Sequence, residues 1–268
     1  MFFSIKNLIQ SSDSFATSES EILSRIGYQD DINTSKEVLY QIHAAHMLHI
    51  PFENLDIHLK NKIILDKDHL FKKIIENKRG GYCYELNGML YLLLKEIGFD
   101  VKMISAQVSI GEDLWTPDFS HLALLVKLDN TYLTDVGFGD NFFEPLLIEN
   151  DIIQNDKAGY FKIVKDGEDY FKLMNSPDGN DFKDGYRFTK NEYKWNDFEE
   201  MNIYQQTSED SHFIKNRICS LATKSGRISL SNNKLTITEN GEKKTREFNN
   251  EDENEFNKLL FEKFQIKL

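Results

Sequence analysis

A chain of 268 residues with 40% hydrophobic and 28% charged side chains is an ordinary globular sequence, long enough for one or two domains. Its 44 acidic against 32 basic residues leave a net charge of −12, which repels polyanions over most of the surface and argues against nucleic acid as the main ligand. No apolar run approaches the roughly 18 residues that cross a bilayer, and no basic-then-apolar leader opens the chain, so a cytoplasmic protein without a membrane partner is expected.

The first hundred residues read as helical. Ser18–Glu21 has capping-box spacing ahead of a helix that Gly27 can end. Thr34–Glu37 repeats that signature before Val38, Leu39, Ile42 and Ala45, which share one helical face, and Pro51 stops the run. Asp66 precedes a further helix that Gly80–Gly81 ends. The next carries Leu86, Leu90, Leu94 and Ile97 on one face, with Gly98 as its stop. From Phe99 the period changes to two, and a β-rich section follows. Beyond about Glu199 the pattern mixes again: a helix near Ser211–Leu221, strands over Arg227–Ser231 and Leu235–Thr238, and a charged closing helix. The order is α, then β, then α/β, divided as residues 1–98, 99–200 and 201–268.

Two cysteines, Cys83 and Cys219, supply neither a disulfide framework nor a cysteine-rich zinc site, and no metal is expected. His43, His46 and His49 lie three apart on one helix, but residues six apart are about 240° around the axis. They cannot all point inward, and they read as partly buried helix residues. Cys219 reads as a structural residue at an apolar helix position.

Arg79-Gly80-Gly81-Tyr82-Cys83-Tyr84-Glu85-Leu86-Asn87 is the most informative stretch. The two glycines let the backbone turn sharply and place Cys83 in the first turn of the following helix. Backbone N–H groups and the positive end of the helix dipole converge there, an environment that favours a thiolate and can hold an oxyanion. A small buried structural cysteine is the competing reading. A nucleophilic cysteine needs a base, and His121, opening the apolar run His121–Leu128 at a strand mouth, is the candidate. The third member is open. If Asp129–Asn130 closes a two-residue hairpin, Asp135 falls opposite Leu124, roughly 10 Å along the strand from His121 and on the other face. Asp118 and Asp140 then compete with it, whereas a longer loop or a bulge restores Asp135.

These segments together resemble the arylamine N-acetyltransferase family. The stretch around Cys83 is similar to its RGGxCxExN signature, Pro51-Phe52-Glu53-Asn54-Leu55 to its PFENL segment, and Asp135-Val136-Gly137-Phe138-Gly139 to its DVGFG segment. His121-Leu122-Ala123-Leu124-Leu125-Val126 looks like the segment opening with the family histidine. Weaker patterns reach to about residue 235.

The resemblance implies an α+β multi-domain fold: an N-terminal helical bundle, a central β-barrel, a C-terminal α/β lid, and a cysteine-protease-like Cys83-His121-Asp135 triad. It also implies acetyl-CoA as the acyl donor and a small aromatic amine, hydrazine or N-hydroxyarylamine as acceptor, reached by a ping-pong route through a Cys83 thioester. Phe52 and Phe138 match positions lining the acceptor pocket. Residues that bind coenzyme A are not assigned; Lys224, Arg227, Lys243, Lys244 and Arg246 could contact phosphates but read more readily as ordinary surface charges. The same triad logic serves an amide synthase, or a cysteine hydrolase or transglutaminase-like enzyme. Homo-oligomerisation and the cellular role, xenobiotic metabolism or biosynthesis, are left open.

Overall fold

The computed structural model describes residues 19–139, 141–249 and 252–268, so the expected cap Ser18 and the candidate Asp140 lie outside the described residues. Helix α1 (19–26) ends at Gly27, whose φ of +72° suits a residue without Cβ. Helix α2 (Lys36–His49) is capped one residue later than the sequence suggests: the Ser35 hydroxyl accepts the Val38 N–H. Its inner face buries His43 and His46 among aliphatic side chains, while His49 is exposed. The chain then crosses as β1 (Phe52–Glu53) into the short α3 (Leu55–His58). Helix α4 (Lys67–Phe71) widens into a π-turn over Lys72–Glu76 and stops there, short of the expected Gly80–Gly81. Helix α5 (Cys83–Ile97) begins on Cys83 itself and ends at Gly98, φ +101°.

The central sheet comprises β2 (Asp100–Gly111), β3 (Leu114–Trp115), β4 (His121–Lys127), β5 (Thr131–Thr134), β6 (Leu146–Leu147), β7 (Gln154–Asp156), β8 (Gly159–Asp166), β9 (Tyr170–Ser176) and β10 (Lys183–Phe188). Its antiparallel order is β6-β5-β4-β2-β10-β9-β8-β7, with β3 paired to β2. The two end strands meet through a side chain: the Gln154 amide accepts from the Leu147 N–H at 2.8 Å and donates to its carbonyl at 2.9 Å. That reciprocal bond completes the barrel by satisfying an edge that would otherwise be left open. Alternation sorts the side chains. On β4, Leu122, Leu124 and Val126 pack toward the helices, whereas Ala123 and Leu125 face the barrel core with Ile163, Leu173 and Phe188. Burial on both faces explains why this strand reads as a continuous apolar run.

A 3₁₀ turn (Trp195–Phe198) leads into α6 (Glu199–Thr207) and the single-turn α7 (His212–Lys215). The chain closes with β11 (Ile218–Thr223), β12 (Gly226–Ser231), β13 (Lys234–Glu239), β14 (Glu242–Glu247) and α8 (Glu253–Phe264). The helix expected near Ser211–Leu221 is thus limited to four residues, and Cys219 sits on a strand. Pairing decides the matter: β11 lies between β1 and β12, so its backbone groups are satisfied in a ladder. Helix α8 packs Phe256, Leu259, Leu260 and Phe264 against this sheet around Cys219 and Leu230. Among the described residues no helix is long and apolar enough to cross a membrane.

Candidate active site

The turn before α5 is fixed by close approach. A Cβ on Gly80 would lie 1.9 Å from the Pro51 carbonyl oxygen, and one on Gly81 would lie 2.6 Å from the Glu85 Cβ. Neither glycine has a positive φ, so what is required is the absence of a side chain, not an unusual backbone angle. The space they vacate lets Pro51–Glu53 lie against Gly81: the Glu53 N–H donates to the Gly81 carbonyl at 2.8 Å, and the Gly81 N–H to the Pro51 carbonyl at 3.3 Å.

Beneath this turn, Glu85 accepts the Tyr82 N–H at 3.1 Å and pairs with Lys73 at 2.8 Å. Lys73 also pairs with Asp56 at 2.7 Å, and Arg79 with Glu53 at 2.8 Å. Burial, added to by the Glu53 charge, pushes the Glu85 carboxyl up to about 7 against the pull of Lys73. These buried ions fix where the N-terminus of α5 sits, and with it Cys83, which is 3% exposed.

His121 and Asp135 reach the same spot from the barrel. The β4–β5 pairing runs Leu124↔Thr134 and Lys127↔Thr131, so the hairpin loop is three residues, 128–130, and not the two of the simple turn. That one-residue shift carries Asp135 to the level of Ala123, on the face that His121 also uses. The His121 Nε2 then lies 2.8 Å from Asp135 Oδ2. The other ring nitrogen stays free of Asp135, and Cys83 shares the cavity wall with His121, near enough to favour the charged ring. Asp118, the competitor, is at the surface and accepts from the Gln107 amide.

Burial opposes an imidazolium, but the Asp135 charge and hydrogen bond, helped by Cys83, push the His121 pKa up to about 10. Burial would likewise raise Asp135. The His121 charge and hydrogen bond, with further bonds from Asn87 and the Gly137 N–H, hold that carboxyl below its ordinary range. The site therefore favours a proton on His121 beside an ionised Asp135.

Three further side chains carry this geometry: Asn87 closes the signature stretch around Cys83 and His43 reads as a partly buried helix residue, but neither they nor Tyr186 are assigned to the site by sequence. Asn87, one turn after Cys83 on α5, donates to Asp135 Oδ1 and to the Leu122 carbonyl, each at 2.7 Å, and accepts the Val136 N–H at 2.9 Å. It ties the helix of Cys83 to the strand of His121 and the loop of Asp135. Tyr186, from β10, donates its hydroxyl to Asp135 Oδ2 at 2.9 Å. His43, from α2, meets the Asp135 backbone. The spacing of four from Cys83 was the available signal for Asn87; nothing local marks the other two.

Phe52, Phe138 and Phe213 line a cavity of about 600 Å³ with Cys83 and His121, so both aromatic residues expected at a pocket are found at this one. Phe138 packs edge-on to His121 at 5.2 Å and to Tyr186 at 4.9 Å. Asn54 helps to shape the far wall: its amide donates to the Phe213 and Asn216 carbonyls and accepts the Ile218 N–H. Among the described residues no carboxylate lines this cavity, while Arg227 and His212 do. Arg227 and Ser229 are shared with an adjoining groove, which adds Lys157, Lys224, Lys234 and Lys243 and again no acid among the described residues. Of the other basic candidates, Arg246 pairs with Glu255, and Lys244 lines a separate surface hollow. Among the described residues no group of three or more His, Cys, Asp and Glu side chains is arranged to hold a metal ion.

A buried Cys-His-Asp array at a cavity wall is equipped for acyl transfer through the sulfur, and comparison with known proteins agrees. A family model described as N-acetyltransferase matches residues 35–268. The arylamine N-acetyltransferase of Escherichia coli K12 is 30% identical over 220 residues, 81% of this chain and 78% of that protein. The solved arylamine N-acetyltransferase of Salmonella typhimurium superposes with a TM-score of 0.87 at 27% identity, covering 93% and 91% of the two chains. That of Bacillus cereus, described as having a unique Cys-His-Glu catalytic triad, gives 0.85 at 29%, covering 94% and 99%. Here the position after His121 in the array is the shorter Asp135. By its sequence, its fold and its site, this chain belongs to the arylamine N-acetyltransferase family of acyltransferases.

Proposed function

We propose that the enzyme moves an acetyl group from acetyl-CoA, its acyl-donor substrate, through Cys83 to the nitrogen of a small arylamine or arylhydrazine, or to the oxygen of an N-hydroxyarylamine. The observation that carries this reading is His121, hydrogen-bonded to Asp135 and lining one cavity with Cys83, with no carboxylate among the described lining residues. In the first half-reaction the Cys83 sulfur, its proton held on His121, attacks the thioester carbonyl. The developing oxyanion lies at the first turn of α5, where backbone N–H groups lack intrahelical acceptors. The carbon–sulfur bond to CoA then breaks, and the leaving thiolate takes the proton from His121. In the second half-reaction the amine attacks acetyl-Cys83, His121 takes its proton, and the bond to Cys83 breaks. Asp135 holds the imidazole orientation and stabilises its charged form throughout.

The basic groove supports a phosphate-bearing donor. In a chain of net charge −12, five cations and, among the described residues, no carboxylate line it, and it shares Arg227 and Ser229 with the cavity of Cys83. Phe52 and Phe138 supply flat faces for an aromatic acceptor. The family match favours transfer over the amide-synthase and hydrolase readings of the same triad. We also read residues 1–98, 99–200 and 201–268 as three domains, although β1 from the first completes the sheet of the third. A reducing compartment such as the cytoplasm suits an enzyme whose two cysteines are free thiols.

Steady-state kinetics test the proposal. With acetyl-CoA and aniline varied together, parallel double-reciprocal lines are expected, and Cys83→Ala should abolish CoA release. Intersecting lines would point to direct transfer in a ternary complex and sink the covalent route.

A further inference from the structure

His43 lies outside the proton chain and outside the cavity, yet it is fully buried and both ring nitrogens meet the 135–143 loop. Its Nδ1 is 2.8 Å from the Phe143 carbonyl oxygen, which can only accept, so Nδ1 carries the hydrogen. Nε2 faces both polar groups of the Asp135 peptide, its carbonyl oxygen at 3.1 Å and its nitrogen at 3.3 Å; in the neutral ring Nε2 has a lone pair, and of the two only the N–H can donate to it. Burial disfavours the charged ring, in keeping with that tautomer. The adjacent Asp135 carbonyl accepts from the Asn141 amide at 3.2 Å, and Phe142 stacks on the imidazole at 5.5 Å.

These bonds matter because of where β5 ends. Its ladder stops at Thr134, so the peptide of Asp135 has left the sheet while still fully buried. Its polar groups need partners, and side chains provide them. We propose that His43 is a positioning residue for acyl transfer: its neutral ring clamps the Asp135 peptide to α2 and so holds the Asp135 carboxylate on His121. The proposal rests on the Cys83-His121-Asp135 reading, which makes the direction of that carboxylate a determinant of Cys83 reactivity.

Three substitutions separate this role from packing. His43→Phe keeps a flat ring for Phe142 and removes both hydrogen bonds. The glutamine amide reaches the place of Nε2 and can accept the Asp135 N–H, whereas asparagine reaches only the place of Nδ1, facing Phe143. The readout is the rate of Cys83 alkylation by iodoacetamide at pH 7, followed by intact mass, with Tm measured beside it. This rate reports the thiol–imidazole pair and needs no acetyl donor.

His43→Phe is expected to slow alkylation about 10- to 100-fold, as for a misplacement of about 1 Å at a reacting group, with a Tm lower by several degrees because the Asp135 N–H and the Phe143 carbonyl lose their partner. His43→Gln should recover most of the rate and His43→Asn little of it. A His43→Phe protein reacting at the wild-type rate would overturn the clamp, as would equal recovery by glutamine and asparagine. Should the phenylalanine variant fail to fold, the glutamine–asparagine comparison still decides. If wild-type Cys83 reacts no faster than it does in His121→Ala, the triad reading itself falls.

Discussion

Gly137 is where the loop of Asp135 crosses the start of α5, and a single methyl group there tests how closely the two halves of the site must meet. A Cβ on Gly137 would lie 2.7 Å from the Cys83 Cα, 2.7 Å from the Asn87 amide nitrogen and 3.0 Å from the Cys83 carbonyl oxygen. Ordinary contact begins near 3.4 Å, so relief requires a shift of about 0.7 Å or more. Neither neighbour yields easily: Cys83 presents helix backbone, and Asn87 is held by three hydrogen bonds. The loop must therefore lift, taking Asp135 and Phe138 with it.

Overpacking of this kind costs about 1–3 kcal/mol, or roughly 2–4 °C of Tm per kcal/mol in a domain of this size. The displacement should cost more in rate, about 100-fold in Cys83 acylation, equivalent to about 2.7 kcal/mol of barrier. Gly139→Ala is the control. Its Cβ meets nothing within 4 Å, but its φ is +84°, so the expected loss is about 1–2 kcal/mol of stability with a far smaller effect on rate. Rapid-quench mass spectrometry of the acyl-enzyme, beside thermal melts, reads both quantities. A Gly137→Ala protein that acylates at the wild-type rate would refute the tight apposition of loop and helix.

Three further outcomes follow from the same geometry. His46 is fully buried with neither ring nitrogen partnered among the described residues, and burial pushes its pKa down to about 3. The unfolded chain binds that proton near pH 6.5, so folding stability should fall as the pH drops from 6.5 toward 3, by about 2 kcal/mol at pH 5. His46→Met should lack that part of the loss in urea titrations at pH 7.5 and 5, and equal losses in both proteins would contradict it. Tyr186→Phe deletes a buried donor to Asp135 Oδ2 and should slow acylation by about 10-fold, since a hydrogen bond to a charged group is worth about 1.5–3 kcal/mol; an unchanged rate would remove Tyr186 from the site. Replacing Lys224, Lys234 and Lys243 together by Ala should weaken CoA binding by about 10-fold or more and flatten its salt dependence, and calorimetry showing unaltered affinity would place the donor phosphates elsewhere.

Much of the site was legible because it rests on local rules. Cys83 opens α5, as the glycine pair before an amphipathic run indicates, and His121 opens β4. What escaped was set by tertiary contacts. Asp129–Asn130 has the residues of a two-residue turn, and only the observed ladder reveals a three-residue loop, so the register that decides the face of Asp135 lay beyond local pattern. Family resemblance supplied that residue where hairpin geometry pointed away from it. Tyr186 and His43 lie 51 and 92 residues from Asp135 in sequence, separations at which no periodicity speaks. At Ile218–Thr223 the apolar spacing satisfies a helix nearly as well as a strand, and the partners β1 and β12 settle it.

Intact-mass spectrometry of the protein mixed with acetyl-CoA and no acceptor, beside Cys83→Ala, tests the covalent route most directly. The wild type should gain the mass of one acetyl group and lose it when an aromatic amine is added, and the variant should gain none. A folded wild-type protein that acquires no acetyl group, or a Cys83→Ala variant that acquires one, would contradict acyl transfer through Cys83.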